Sequence, residues 1–284
     1  MALARYDAGV STSTAAVPVV APAVLQLAEH LNTYAPPRAG DQCFTQDPRF
    51  VLFLAACSGA EVDPHFTVVQ RLRLQPSELP AVVAQVRAQL RAQGRTSATW
   101  EVGPSAAPTA PEALSQLLQA HGMIPDPVEP LVMGMALLQP PIVAIPPHLT
   151  VERVQTPEAL LSLRQIFQQC FGMPPYDPAD LPADWARFEQ TPNVRCYLAL
   201  SQGRPIAAAD ATVTKHALLL SGGATLPEAR GLGAYKALIA ARFADAQALG
   251  TPVLVTQAGA MSRPILSRLG FIDVAPIHVF LDRF

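Results

Sequence analysis

The residues best suited to chemistry by type and spacing are Arg230-Gly231-Leu232-Gly233-Ala234-Tyr235. Glycine accepts either sign of φ and has no Cβ, so Gly231 and Gly233 let the backbone approach a ligand closely. The apolar run 216–225 before them reads as a strand, and a helix follows to Leu249-Gly250. The amides that open this helix have no intrahelical partner and point outward with the positive end of the helix dipole. Arg230 adds a fixed charge and a planar fork of donors. Together these groups make a cradle for a phosphate or pyrophosphate.

Two common cradles do not match. A P-loop requires Lys-Ser/Thr after its last glycine, whereas Lys236 lies inside the helix with Ala237 after it. A dinucleotide fingerprint requires a third glycine at position 236, and lysine stands there. The stretch instead resembles the Arg/Gln-x-x-Gly-x-Gly/Ala signature of the GNAT (GCN5-related) N-acetyltransferases, with Pro227 and Glu228 in keeping. Tyr235 departs from it, standing where a small residue usually lets the pyrophosphate sit against the helix, so its ring must swing aside or cover the phosphates. A second signature follows a short strand at 252–256: a short helix through Pro264 that ends in Leu269-Gly270-Phe271 before a last strand.

The resemblance implies an α/β (α+β) GNAT fold, a mixed and mostly antiparallel central sheet flanked by helices. It implies an acyltransferase that moves an acetyl group directly from acetyl-CoA to the amine of a small-molecule acceptor, with acetyl-CoA as cosubstrate and no metal. Carried onto this chain, the backbones of Ala224, Thr225 and Leu226 would hold the pantetheine and thioester. Those of Arg230, Gly231, Leu232, Gly233, Ala234 and Tyr235 would hold the pyrophosphate. In the family the strand before the cradle bulges and splays from its neighbour, and Gly222-Gly223 suit such a bulge.

Acid and base are not assigned by these motifs. Many family members protonate the thiolate with a tyrosine on the last helix, and Leu266 occupies the matching position. Ser262, one turn earlier, is placed to bond the cofactor or to cap the helix. Tyr235 offers a hydroxyl, or packs against the next strand. Asp210 interrupts the small apolar run 206–213 and is costly on a central strand unless paired, functional or facing solvent past an edge. His216 has a suitable pKa range but follows Lys215 at an expected hairpin turn. Asp210, His216 and Tyr235 are therefore the catalytic candidates. By resemblance the loop 172–182 would wall the acceptor cleft, with Met173 and Tyr176 as its lining and Asp177 and Asp180 to attract an amine.

The second half supplies elements in the order such a site requires. A strand at 149–154 leads to helices at 157–171, capped by Thr156, and 183–190. Strands at 194–200 and 205–213 turn at Gln202-Gly203 ahead of the cradle strand. The proline-rich stretch 139–148 cannot continue a helix, which divides the chain into 1–145 and 146–284. In the first half, a strand at 66–74, helices at 77–93 and 111–120, a strand at 96–102, a His121-Gly122-Met123 ending and a strand at 131–138 parallel the later part of a GNAT unit. Its loop at 75–80 has neither glycine nor a basic residue. This half reads as a degenerate GNAT-like unit without a cofactor cradle.

Composition bounds the remaining choices. A chain of 284 residues, 50% hydrophobic, fills two cores. A net charge of -2 offers no electrostatic case for nucleic acid or an anionic membrane. Cys43, Cys57, Cys170 and Cys196 form no Cys-x-x-Cys pair and read as reduced residues of a cytoplasmic protein. The apolar run from Ala15 is broken by Pro18 and Pro22 and reads as the approach to a helix starting near Pro22 rather than as a leader or membrane span. GNAT units often pair through their last strands, so a homodimer is one implied arrangement. The reading from another class is a catalytically silent acyl-CoA sensor or scaffold, and a third is a structural module that binds no CoA.

Overall fold

Proline at a first helical turn, a side-chain cap before it and glycine after it set the helix boundaries. The computed structural model describes residues 19–56, 63–172 and 175–284. Its first half runs α1 (Pro22–Glu29), α2 (Leu31–Tyr34), β1 (Gln42–Phe44), β2 (Val51–Leu54), β3 (Thr67–Gln70), α3 (Leu79–Ala92), β4 (Ser97–Val102), α4 (Pro111–Ala120), β5 (Ile124–Pro125) and β6 (Leu131–Leu137). The second half runs β7 (Leu149–Arg153), α5 (Pro157–Phe171), α6 (Leu181–Glu189), β8 (Val194–Ser201), β9 (Arg204–Val213), β10 (Leu218–Thr225), α7 (Ala234–Ala248), β11 (Leu254–Ala258), α8 (Arg263–Arg268) and β12 (Ile272–Arg283).

Helix α5 shows the local logic. Thr156 Oγ1 accepts from Ala159 N–H at 3.2 Å, Pro157 opens the first turn, and Gly172 closes the helix at φ 64°. Gln202 and Gly203, both at positive φ, form the two-residue turn between β8 and β9, as their sequence predicts. The first half departs more from expectation. The strand expected over 66–74 is only β3, because Pro64–Phe66 form a 3₁₀ turn and Arg71 adopts φ 55°, which ends the pairing. Strands β1 and β2, three and four residues long, had no sequence counterpart.

Among the described residues all strands lie in one sheet, ordered β1-β2-β3-β4-β12-β6-β11-β10-β9-β8-β7, with β5 added on β12. The mixed, mostly antiparallel sheet agrees with the expected fold class. Its centre is interleaved: β6 pairs with β11 of the second half, and β12 pairs with β4 of the first. The cores are exchanged accordingly. Phe280 of β12 is buried with Trp100, Leu90 and Leu118 of the first half, whereas Met133, Met135 and Leu137 of β6 join the second core. Arg87 of α3 clasps the buried Asp282 of β12 through Nη2 at 2.6 Å and Nε at 3.1 Å. Phe280→Ala is therefore expected to destabilise the first half by about 3 kcal/mol or more, through lost transfer energy and the cavity left. A lowered denaturation midpoint would show it. Among the described residues no helix is long and apolar enough to cross a membrane.

Candidate functional site

Strand β10 pairs in parallel with β11 only at Leu218↔Leu254 and Leu219↔Val255, and then the two diverge. At the point of separation Thr256 Oγ1 donates to the Leu220 carbonyl at 3.3 Å, replacing the lost ladder bond. On its other edge β10 stays paired with β9, but the register shifts between Leu220 and Gly223. The shift is the bulge expected at Gly222-Gly223, and close neighbours explain both glycines. A Cβ on Gly222 would meet Phe167 Cζ at 3.0 Å and Asp210 Oδ1 at 3.2 Å, and one on Gly223 would meet the Tyr235 ring at 3.2 Å.

The chain then turns through Pro227–Ala229 into Gly231 at φ 85° and Gly233 at φ 90°. Gly233 is the N-cap of α7 and provides no side-chain cap. The first helical bond runs from Ala237 N–H to the Gly233 carbonyl at 3.0 Å, so the amides of Ala234, Tyr235 and Lys236 precede the helical ladder. Arg230 is exposed beside them. Tyr235, the residue that departs from the signature, resolves the steric question by laying its ring on Gly223, off the turn. Burial holds its hydroxyl above the ordinary tyrosine pKa, with Arg242 opposing.

In the first half Glu78 Oε2 accepts from Gln75 N–H at 2.6 Å, a capping box on the 3₁₀ turn Pro76–Glu78 that runs into α3. Beside β3 and β4 lies a cavity of about 530 Å³ lined by Asp63, His65, Thr99, Glu101, Glu129 and Gln257 among others, with no lysine or arginine among the described residues that line it. Such a lining repels phosphate. Burial, and secondarily the Glu29 charge, raise the Glu101 pKa from 4.5 to about 8. Between those values the folded protein holds a proton that the unfolded chain has released, so stability is full at low pH and falls as pH rises through the window. A thermal midpoint that declines from pH 5 to pH 8, flattened in Glu101→Gln, is the expected result, with an upper bound of a few kcal/mol.

Asp210 lies on β9 opposite Cys196, on the sheet face covered by Phe167 of α5. It is 5% exposed, so the solvent-facing alternative does not hold. Arg38 Nη2, from the first half, donates to Asp210 Oδ2 at 2.7 Å and to Ser221 Oγ at 3.3 Å. Among the described residues, buried Asp210 Oδ1 has no hydrogen-bond partner. Burial, then the Asp210 charge, push the Cys196 thiol up to about 12, which keeps it protonated and inert. From the opposite face, fully buried Arg242 of α7 bonds the Asp210 carbonyl through Nη1 at 3.2 Å and the Leu238 carbonyl through Nε at 3.1 Å, fixing the strand under the bulge.

The other sequence candidates are dispersed. Ala224 and Leu226 are buried and Thr225 half-buried where β10 leaves its neighbour, and the Thr225 carbonyl accepts from Cys170 Sγ at 3.5 Å. Ser262 occupies the N-cap position of α8 but makes no cap bond; its hydroxyl turns back to the Gly259 carbonyl at 3.4 Å. Leu266 is core. His216 sits exposed in the turn before β10, at the opposite end of that strand from Gly231, with its N–H on Thr214 Oγ1 at 3.3 Å. It is not brought to the other candidates. Tyr176 anchors its loop by donating its N–H to Gln168 Oε1 at 2.9 Å, and burial followed by the Asp184 charge raises its pKa. Met173 lies outside the described residues. Arg38 was not found by sequence reasoning, and the stiff Pro36-Pro37 before it was the only local signal.

Comparison with sequence-family profiles and with curated proteins gave no match. Among solved structures, a GCN5-related N-acetyltransferase from Kribbella flavida aligns over 92% of this chain and 93% of its own, at TM-score 0.62 and 19% identity. A tandem GNAT protein from the clavulanic acid biosynthesis pathway covers 92% of this chain and 87% of its own, at TM-score 0.59 and 17% identity. A GCN5-related N-acetyltransferase from Sphaerobacter thermophilus covers 84% and 82%, at TM-score 0.58 and 16% identity. At these identities the likeness is one of fold, and the fold is that of a tandem GNAT chain.

Proposed function

We propose that this tandem GNAT fold is an acyl-CoA-dependent N-acyltransferase, which moves an acetyl group from acetyl-CoA to a small-molecule amine, and that residues 146–284 hold the cofactor. The observation that carries the reading is the open N-terminus of α7, with Gly231 and Gly233 in left-handed conformations, beside a strand that has parted from its neighbour. The amides of Gly231 to Tyr235, with Arg230, suit the pyrophosphate, and the unpaired edge of β10 at Ala224 and Thr225 suits the pantetheine and the thioester oxygen.

In the reaction the amine nitrogen forms a bond to the thioester carbon, the C–S bond breaks, and the oxyanion of the intermediate is stabilised by backbone N–H groups. Asp210 takes the proton lost by the amine, since its Oδ1 faces the bulge without a partner among the described residues. Tyr235 lies on the other face of the sheet from this base, so the departing thiolate takes its proton from water. The products are an amide and CoA thiol. The first half, with Glu78 in a capping box before α3, contributes Arg38 to the site instead of a second cradle. Free Cys43, Cys170 and the inert Cys196 fit work in the cytoplasm.

The sensor reading draws on one observation, the Arg38 ion pair that already engages Asp210. Calorimetric titration of CoA and acetyl-CoA tests the shared premise: one saturable site per chain is expected, and no heat of binding would remove both readings. A protein that binds and then shows no thiol release with any amine would be the sensor.

A further inference from the structure

The surroundings of Asp210 contain more than a proton acceptor needs. Its carboxylate is more than nine-tenths buried; Oδ2 is held by Arg38 at 2.7 Å, while Oδ1 is unpartnered among the described residues and lies 3.2 Å from the point a Cβ on Gly222 would occupy. Arg38 is itself presented by a fixed turn. Its N–H donates to Asp41 Oδ2 at 3.0 Å, the Asp41 N–H returns to the Arg38 carbonyl at 3.0 Å, and Asp41 Oδ1 accepts from Ala56 N–H at 2.8 Å. Only Nη2 of its guanidinium is engaged, by Asp210 and Ser221. Nε and Nη1 have no acceptor among the described residues, on a side chain that is 42% exposed.

We propose that Arg38 and Asp210 together form the acceptor subsite, and that the acceptor is a small amine that also carries a carboxylate, such as an α-amino acid. The amino group is received by Asp210 Oδ1 and the carboxylate by Nε or Nη1 of Arg38, each a charge-assisted donor without another acceptor among the described residues. One charge comes from each half of the chain, so the cradle-less first half selects the acceptor. A polyamine would bring a second cation against Arg38, and an amine without a carboxylate would leave Nε and Nη1 unused. The inference rests on the acyl-transfer reading above.

The test compares free amino acids, their carboxamides and spermidine as acceptors. Thiol release from acetyl-CoA and equilibrium binding to CoA-loaded protein are measured for the parent, Arg38→Gln and Arg38→Lys. The parent is expected to favour amino acids over their carboxamides by at least about tenfold in kcat/KM and Kd. Arg38→Gln should reduce that preference to about twofold, and Arg38→Lys, which keeps a cation for Asp210 but loses the separate Nε and Nη1 donors, should fall between. Carboxamides or spermidine taken as well as amino acids, a preference that survives Arg38→Gln, or no amino acid bound while CoA binds would each overturn the proposal and leave the acyl-transfer reading standing. Failure of CoA itself to bind would overturn both.

Discussion

Gly233→Asp is expected to lower the affinity for CoA and acetyl-CoA by at least about a hundredfold while the protein stays folded. The glycine is the N-cap of α7, at φ 90°. Aspartate is among the residues that tolerate left-handed backbone, at a cost of about 1–2 kcal/mol. Its side chain would stand in the turn that the pyrophosphate needs, with a negative charge set against the phosphates. Two lost hydrogen bonds to a charged ligand, at about 1.5–3 kcal/mol each, amount to two or more factors of ten in Kd. The new Cβ would meet Pro146 Cδ at 3.3 Å, which a small shift of that linker proline accommodates. Titration calorimetry of parent and variant, with circular dichroism as the fold control, measures the effect. Unchanged affinity would remove the cofactor from this turn.

Asp210→Asn is the second large effect. The amide keeps the size of the side chain but cannot accept a proton, and general-base catalysis typically contributes about 10²–10⁴ in rate. A loss of kcat in that range is expected, with CoA affinity changed by less than about twofold, because Asp210 lies on the face of the sheet opposite Tyr235. The weakened contact to Arg38 should cost about 2 kcal/mol or less, since that guanidinium is partly solvated. A fall in kcat carried entirely by loss of folded protein, visible as a lowered midpoint with unchanged specific activity of the folded fraction, would assign Asp210 a structural role.

The glycine turn before α7 was legible because its signal is local. Glycines at fixed spacing, a strand before and a helix after are all contained in residues 218–249, and periodicity alone places α5, β8, β9 and α7 within a residue or two. The bulge at Gly222-Gly223 was legible for the same reason, although its purpose was not. Only the packed structure shows that one glycine makes room for Asp210 and Phe167 and the next for Tyr235.

The unread parts are non-local. Nothing in the pattern of Leu131–Leu137 says that this strand will pair with β11 rather than close its own half, because hydrophobic alternation specifies a face and not a partner. β1 and β2 are too short to give a period. Arg38 and Asp210 are 172 residues apart, so their ion pair depends on how the halves dock. The burial of Asp210 was undecidable for a related reason: a carboxylate on a central strand is costly alone, and its counter-charge comes from the other half.

The central claim is group transfer, and the direct measurement is the release of CoA thiol from acetyl-CoA by the purified chain, with and without an amine-bearing acceptor. Amine-dependent release over many turnovers is expected, with one acetylated amine formed for each thiol. Saturable acetyl-CoA binding with thiol release no faster in the presence of any amine, carboxylate-bearing amines included, would contradict it.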